Sequence, residues 1–401
     1  MAKPFLLKTA IDSWPALNWT PDLIAEALGG KQIRIRLGSK KHISGTVLWE
    51  TDSHYVDATL TQLVSWYGGN EKLSPDLENP FEKYHPNEYW AYVDYKYMFD
   101  LFDDSKNEKL LKEVDWGVFG CGLENRDGME STFWMGTKGA YTPCHYDTYG
   151  FNLVAQVCGR KRWVLFPPHD DLHPTRIPYE ESSVFSSLDF ISPTANHLRH
   201  THPYVITLEP GDVLFVPSKW WHFVQSISDH FSISINTWID TPIDDADARS
   251  IEALTQVIMS MAAGSAKSDE IRKIVIEDAI DVSFSSDQFG ESSLDIDQGL
   301  IMFNSVMAAN NDHALKVQNT ILDDFLARWK SIGIEVGRMK DIDEFCRYMI
   351  DNRVLEITSS DTSDVESRES KENFTKLDVL KAMSHPDCVR VILDRLMRMK
   401  V

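Results

Sequence analysis

The chain has 401 residues, 43% of them apolar, and a formal net charge of −21. Its length allows one large core and a second, smaller one, since domains commonly run to about 100–200 residues. No apolar run approaches the roughly 18–20 residues that span a bilayer, and Met1 to Lys8 lacks the features of a secretory signal, which predicts a cytosolic (cytoplasmic) or nuclear protein and no membrane. A field of this sign repels duplex nucleic acid and attracts cationic partners. Cys121, Cys144, Cys158, Cys346 and Cys388 form no CxxC pair, which fits reduced thiols rather than a disulfide framework or a zinc module.

In chain order, Thr20-Pro21-Asp22 reads as a helix start, Leu23, Ile24, Ala27 and Leu28 as its apolar face, and Gly29-Gly30 as its stop. Ile33, Ile35 and Leu37 then alternate with Arg34 and Arg36, the pattern of a half-buried strand. Between Gly117 and Trp238, short strand patterns are separated by turn residues such as Lys138-Gly139, Cys158-Gly159, Pro167-Pro168 and Pro210-Gly211, which indicates a barrel or sandwich. After Asp240 the strands are expected to cease. Ile251, Leu254, Val257, Ile258 and Met261, and then Leu315, Ile321, Leu322, Phe325 and Trp329, recur at helical spacing. Residues 358–373 have the composition of a flexible acidic, Ser-rich linker. A last helical segment, Leu377 to Met399, is interrupted at Pro386 and docks back or meets a partner, a homodimer through the C-terminal helices being one outcome. The chain thus divides into an N-terminal α/β flank (1–116), a strand-rich core (117–240), a helical region (241–357), the linker (358–373) and a helical segment (374–401).

Iron(II) held by two histidines and one carboxylate keeps three positions open for a bidentate co-substrate and oxygen. Ligands two residues apart on a strand point the same way, so an H-x-D delivers two of the three. The pattern occurs at His145-Tyr146-Asp147, His169-Asp170-Asp171 and His385-Pro386-Asp387. His169 follows Pro167-Pro168 into a loop and His385 sits in a helical segment, so only His145 opens a strand. His222, sharing a strand face with Trp220 and Val224, is the candidate third ligand. His197, His200 and His202 fall in a polar loop, where His200-Thr201-His202 could bind a surface metal.

Lys161 shares a strand face with Trp163 and Leu165. A buried lysine needs an anionic partner, and the distal carboxylate of 2-oxoglutarate would supply it, with the Thr142 hydroxyl as a neutral helper. In the other register Arg160 and Arg162 point inward and Lys161 is solvated. Tyr146, Tyr149 and Phe151 either line a substrate mouth or pack in the core.

Trp134-Met-Gly, Thr142-Pro-Cys-His-Tyr-Asp147, Gln156-Val-Cys-Gly-Arg-Lys161, Phe166-Pro-Pro, Pro210-Gly-Asp-Val-Leu-Phe-Val-Pro217, Trp220-Trp-His222 and Asn236-Thr-Trp238 resemble the JmjC oxygenases related to the asparaginyl hydroxylase that inhibits hypoxia-inducible factor. The likeness runs from Trp14 through Trp238. A narrower one, carried by Tyr89 to Tyr97, Asn125 to Gly128 and Arg176-Ile-Pro-Tyr-Glu-Glu-Ser-Ser-Val-Phe185, is to JmjC proteins that associate with small heat shock protein. The resemblance implies a mainly β fold with α: a double-stranded β-helix (jelly-roll, cupin) core with flanking N-terminal α/β elements and a C-terminal helical region. It also implies iron(II), 2-oxoglutarate and O2, with Tyr92, Asn152 and Asn236 joining Thr142 and Lys161 around the co-substrate.

The activity implied is oxidative decarboxylation of 2-oxoglutarate to succinate and carbon dioxide, coupled to hydroxylation of a C–H bond in a protein side chain. A histone lysine demethylase would suit the negative surface, but there is no clustered Cys/His reader module. The charge also weighs against a tRNA hydroxylase. From another class comes a scaffold that binds a small heat shock protein in the stress response without catalysis; His145, Asp147, His222, Lys161 and Thr142 argue for an enzyme.

Overall fold

The computed structural model describes residues 2–69, 79–103, 106–265, 296–310, 320–358 and 375–399. Phe5–Leu7 forms β1 and Pro21–Leu28 forms α1. Thr20 accepts the Leu23 N–H at 3.1 Å, Pro21 takes a first-turn place where its missing N–H costs nothing, and Gly29 ends the helix at φ 53°. Ile24, Ala25 and Leu28 face inward; Leu23, expected on that face, is exposed and Ala25 replaces it.

β2 (Ile33–Ser39), β3 (Lys41–Ile43), β4 (His54–Ala58), α2 (Leu60–Tyr67), β5 (Tyr89–Tyr97), α3 (Met98–Leu101) and α4 (Glu108–Leu111) follow. The half-buried reading of β2 is corrected at Arg36, which is 1% exposed. Its guanidinium meets the Asp94 carboxylate at 2.6 Å and donates to the Tyr141 carbonyl at 3.0 Å, so a charged side chain goes inside because its partner does.

The strand-rich part supplies β6 (Thr132–Gly136), β7 (Tyr141–Asp147), β8 (Phe151–Cys158), β9 (Lys161–Phe166), β10 (Pro174–Glu180), β11 (Ser183–Ser186), α5 (Ala195–Leu198), β12 (Tyr204–Leu208), β13 (Val213–Val216), β14 (Trp221–Ser226) and β15 (Ser232–Ile239). Then come α6 (Pro242–Ser265), α7 (Ile296–Asn310), α8 (Thr320–Trp329), β16 (Ile334–Glu335), α9 (Ile342–Asp351), β17 (Glu356–Thr358), α10 (Lys376–Ser384) and α11 (Pro386–Met399).

Two large antiparallel sheets make a β-sandwich. One has the order β16-β1-β13-β8-β15-β6-β5-β2-β4 and the other β10-β11-β7-β14-β9-β12. Of the N-terminal strands, β1, β2, β4 and β5 are hydrogen-bonded members of the first sheet. Between the sheets, Val154, Leu214 and Val216 from one meet Trp163, Leu165 and Val224 from the other. Outside the first sheet, Trp14, Trp116, Phe119, Phe151, Phe215 and Phe325 form the main apolar core.

Strands do not cease at Asp240. β16 pairs with β1, and β17 pairs in parallel with β3. Both are too short to show an alternation in sequence, and both cover strand edges that would otherwise leave backbone groups unpaired. The last helical segment, Leu377 to Met399, docks back: Leu380, Val389 and Leu393 pack with Ala253, Leu254 and Val257 of α6 and with Ile177 and Tyr179 of β10. Leu315 and, beyond Thr358, the expected linker lie outside the described residues. Among the described residues no helix is long and apolar enough to cross a membrane, and the five cysteines are free thiols.

Candidate metal centre and adjoining pocket

β7 and β14 are neighbours, and their register sets His145 directly opposite His222. The alternation of β7 carries Asp147 to the same side as His145. The three ligand atoms lie within 4.8 Å of one another, with His145 Nε2 3.9 Å from Asp147 Oδ1 and the two imidazole centroids 4.2 Å apart. His145 Nδ1 is 2.8 Å from the Pro143 carbonyl and His222 Nδ1 2.9 Å from that of Trp220. A carbonyl only accepts, so each Nδ1 carries the proton and each Nε2 keeps its lone pair. Burial and the neighbouring His222 hold His145 down to about 4, against the opposing pull of Asp147; its imidazole is neutral at pH 7. Asp147 Oδ2 accepts the Trp238 indole N–H at 3.0 Å.

The predicted co-substrate residues gather beside this group, between the sheets. Lys161 is 2% exposed, which favours the register that turns it inward. Arg162 is buried as well, on the opposite face, donating to the Gln225 side chain at 2.7 Å and the Asn352 carbonyl at 2.8 Å. Lys161 Nζ donates to Ser234 Oγ at 2.8 Å and to the Tyr92 hydroxyl at 3.2 Å, and Thr142 is buried on β7. Among the described residues no carboxylate comes within ion-pair distance of Lys161. Asp94, which raises its pKa from afar, is committed to Arg36, and burial prevails, lowering the ammonium to about 7. Asn236 links the two ends: its Nδ2 donates to Asn152 Oδ1 at 2.9 Å, and its Oδ1 accepts from Trp134 Nε1 at 2.7 Å.

Sequence reasoning missed Ser234, Trp134 and the role of Trp238. A signal existed: Ser232, Ser234, Asn236 and Trp238 are alternate residues of β15, a polar row whose opposite face is Ile233, Ile235 and Ile239. Of the aromatics near the H-x-D, Phe151 packs in the core against Phe215. The Tyr149 hydroxyl donates to Glu181 at 2.7 Å. Tyr146 points away from the triad into a cavity of about 190 Å³, shared with Thr148, Arg176, Lys219 and the helical residues Ala248 and Arg390.

A family model described as a cupin-like domain matches residues 1–245, more than half of the chain. The chain belongs to the cupin-like JmjC domain family. HSPB1-associated protein 1 of Homo sapiens is 44% identical over 264 residues, 65% of this chain and 52% of that protein. The Danio rerio homolog is 44% identical over 274 residues, 67% of this chain and 59% of its own. Jumonji C domain-containing protein 5 of Drosophila melanogaster is 29% identical over 244 residues, 58% and 54% of the two chains. The chain spans about half the length of these curated relatives.

The residues present fit the groups this JmjC family implies. Two imidazoles with free Nε2 atoms and one carboxylate are a donor set for iron(II). A buried ammonium whose near partners are hydroxyls lacks the anion that 2-oxoglutarate would bring.

Proposed function

We propose that this chain is an iron(II)- and 2-oxoglutarate-dependent oxygenase that hydroxylates a protein side chain. The observation that carries this reading is the pairing of two committed Nδ1 protons with one uncompensated buried ammonium. The first readies His145, Asp147 and His222 for a metal, and the second readies Lys161 for a carboxylate.

Each residue then has a task. His145, Asp147 and His222 would hold the metal. Trp238 holds Asp147 by one oxygen and would leave the other free to bind a metal. Lys161, Tyr92 and Thr142 would take the distal carboxylate, and Asn152 and Asn236 would orient the opposite end of the co-substrate. Trp163, stacked on His222 with centroids 5.6 Å apart, and Trp134 wall the pocket against water. When bound, iron and 2-oxoglutarate supply the oxidation, with oxygen as oxidant and succinate and carbon dioxide as co-products.

The name of these relatives, HSPB1-associated protein 1, supports association with a small heat shock protein, which we propose as a partner. The test is turnover without protein substrate: iron-loaded chain forms succinate slowly in the presence of oxygen, and Asp147→Ala does not. Cell extract raises the rate, with a gain of one oxygen on the target by mass spectrometry. Folded, iron-loaded protein that binds a small heat shock protein and makes no succinate would establish the scaffold reading instead.

A further inference from the structure

We propose that His169, Asp170 and His202 form a second metal site, for a zinc-class divalent cation, separate from the triad. His169 and Asp170 leave the end of β9, and His202 leads into β12, which pairs with β9. The Asp170 side chain is 1% exposed. Its Oδ2 accepts the His202 backbone N–H at 2.5 Å and its Oδ1 meets His202 Nδ1 at 2.6 Å. His169 Nε2 approaches the same Oδ1 at 3.7 Å, and the two rings lie 5.3 Å apart. The three donor atoms fall within 4.8 Å of one another.

The charge balance points to a cation. Among the described residues, no lysine or arginine lies within ion-pair distance of Asp170, so the two imidazoles are the only side chains that face this buried carboxylate at that range. Both imidazoles are reachable from solution, with side chains 72% exposed at His169 and 32% at His202. Two nitrogens and one oxygen suit zinc and its first-row neighbours better than magnesium or calcium, which prefer oxygen alone. The strongly negative protein field raises the local concentration of any cation. A metal there would tie the exit of β9, the strand that begins with Lys161, to the entrance of its neighbour.

The test uses the full chain with the triad removed by Asp147→Ala and His222→Ala, so that it does not depend on the iron reading. Equilibrium dialysis against zinc(II) with metal analysis is expected to leave about one zinc per chain, and zinc should raise the thermal midpoint. Adding His169→Ala and His202→Ala abolishes both effects. His169→Ala alone spares the His202–Asp170 hydrogen bond, so the loop keeps its anchor, yet zinc affinity should fall at least about tenfold. The proposal is overturned if the triad-free chain, folded by circular dichroism, takes up no zinc. It is equally overturned if the fourfold variant retains the same zinc and the same thermal shift.

Discussion

His145 and His222 face each other across neighbouring strands, and each donates its Nδ1 proton to the carbonyl two residues earlier in the chain. The strand backbone thus fixes both tautomers before any metal arrives. Anaerobic titration of His145→Ala, Asp147→Ala or His222→Ala with iron(II) is expected to show loss of the tight site. Trp238→Phe keeps the ring and removes the donor to Asp147; iron affinity should fall about 10–100-fold. Parental affinity in Trp238→Phe would mean that the indole hydrogen bond does not orient the ligand.

Lys161 makes opposite predictions for binding and for folding. Lys161→Met should weaken 2-oxoglutarate binding by on the order of 3–5 kcal/mol and stabilise the ligand-free chain by on the order of 1–4 kcal/mol, because it removes a buried charge. Calorimetric titration and urea denaturation read the two separately.

The same lysine sets a pH dependence. Its folded pKa is depressed from 10.5 to about 7, so between those values the unfolded chain holds a proton that the folded chain has given up. Lys161 therefore makes ligand-free stability rise with pH across that window, with its full desolvation cost felt below about 7. Binding runs the other way, since the carboxylate needs the ammonium. Affinity for 2-oxoglutarate, measured with manganese(II) in place of iron, should drop more than about tenfold from pH 6.5 to pH 8.5. A flat profile would show that Lys161 stays charged without a ligand.

Gly38 lies under the fully buried indole of Trp90, where an added Cβ would come within 2.0 Å of the ring. Gly38→Ala must displace that ring, which has Tyr141 as a neighbour at 5.5 Å. The expected cost is about 1–3 kcal/mol by urea denaturation, with weaker 2-oxoglutarate binding because Tyr141 precedes Thr142.

The triad was legible because period-two spacing on a strand and one histidine in a later strand are local facts. Lys161 was legible only up to a choice of register, which tertiary packing decides: both Lys161 and Arg162 are buried, on opposite faces of a covered strand. Arg36 was misread because its partner Asp94 is 58 residues away in sequence. β16 and β17 escaped notice because two or three residues carry no period; only the edges they cover explain them. Asp170 was passed over as part of a loop motif, since nothing in His169-Asp170-Asp171 shows that His202 folds onto it.

β15 carries the polar row of the pocket on one face and the isoleucines of the main core on the other. A slip of one residue would exchange the two faces, sending Ser234, Asn236 and Trp238 into the apolar layer and the isoleucines toward Lys161. Misfolded molecules would then lose the pocket outright instead of carrying a slightly altered one. Damage to this strand should accordingly lower the number of competent molecules in a preparation while each survivor works at the normal rate, so active-site titration, more than Michaelis constants, would reveal it.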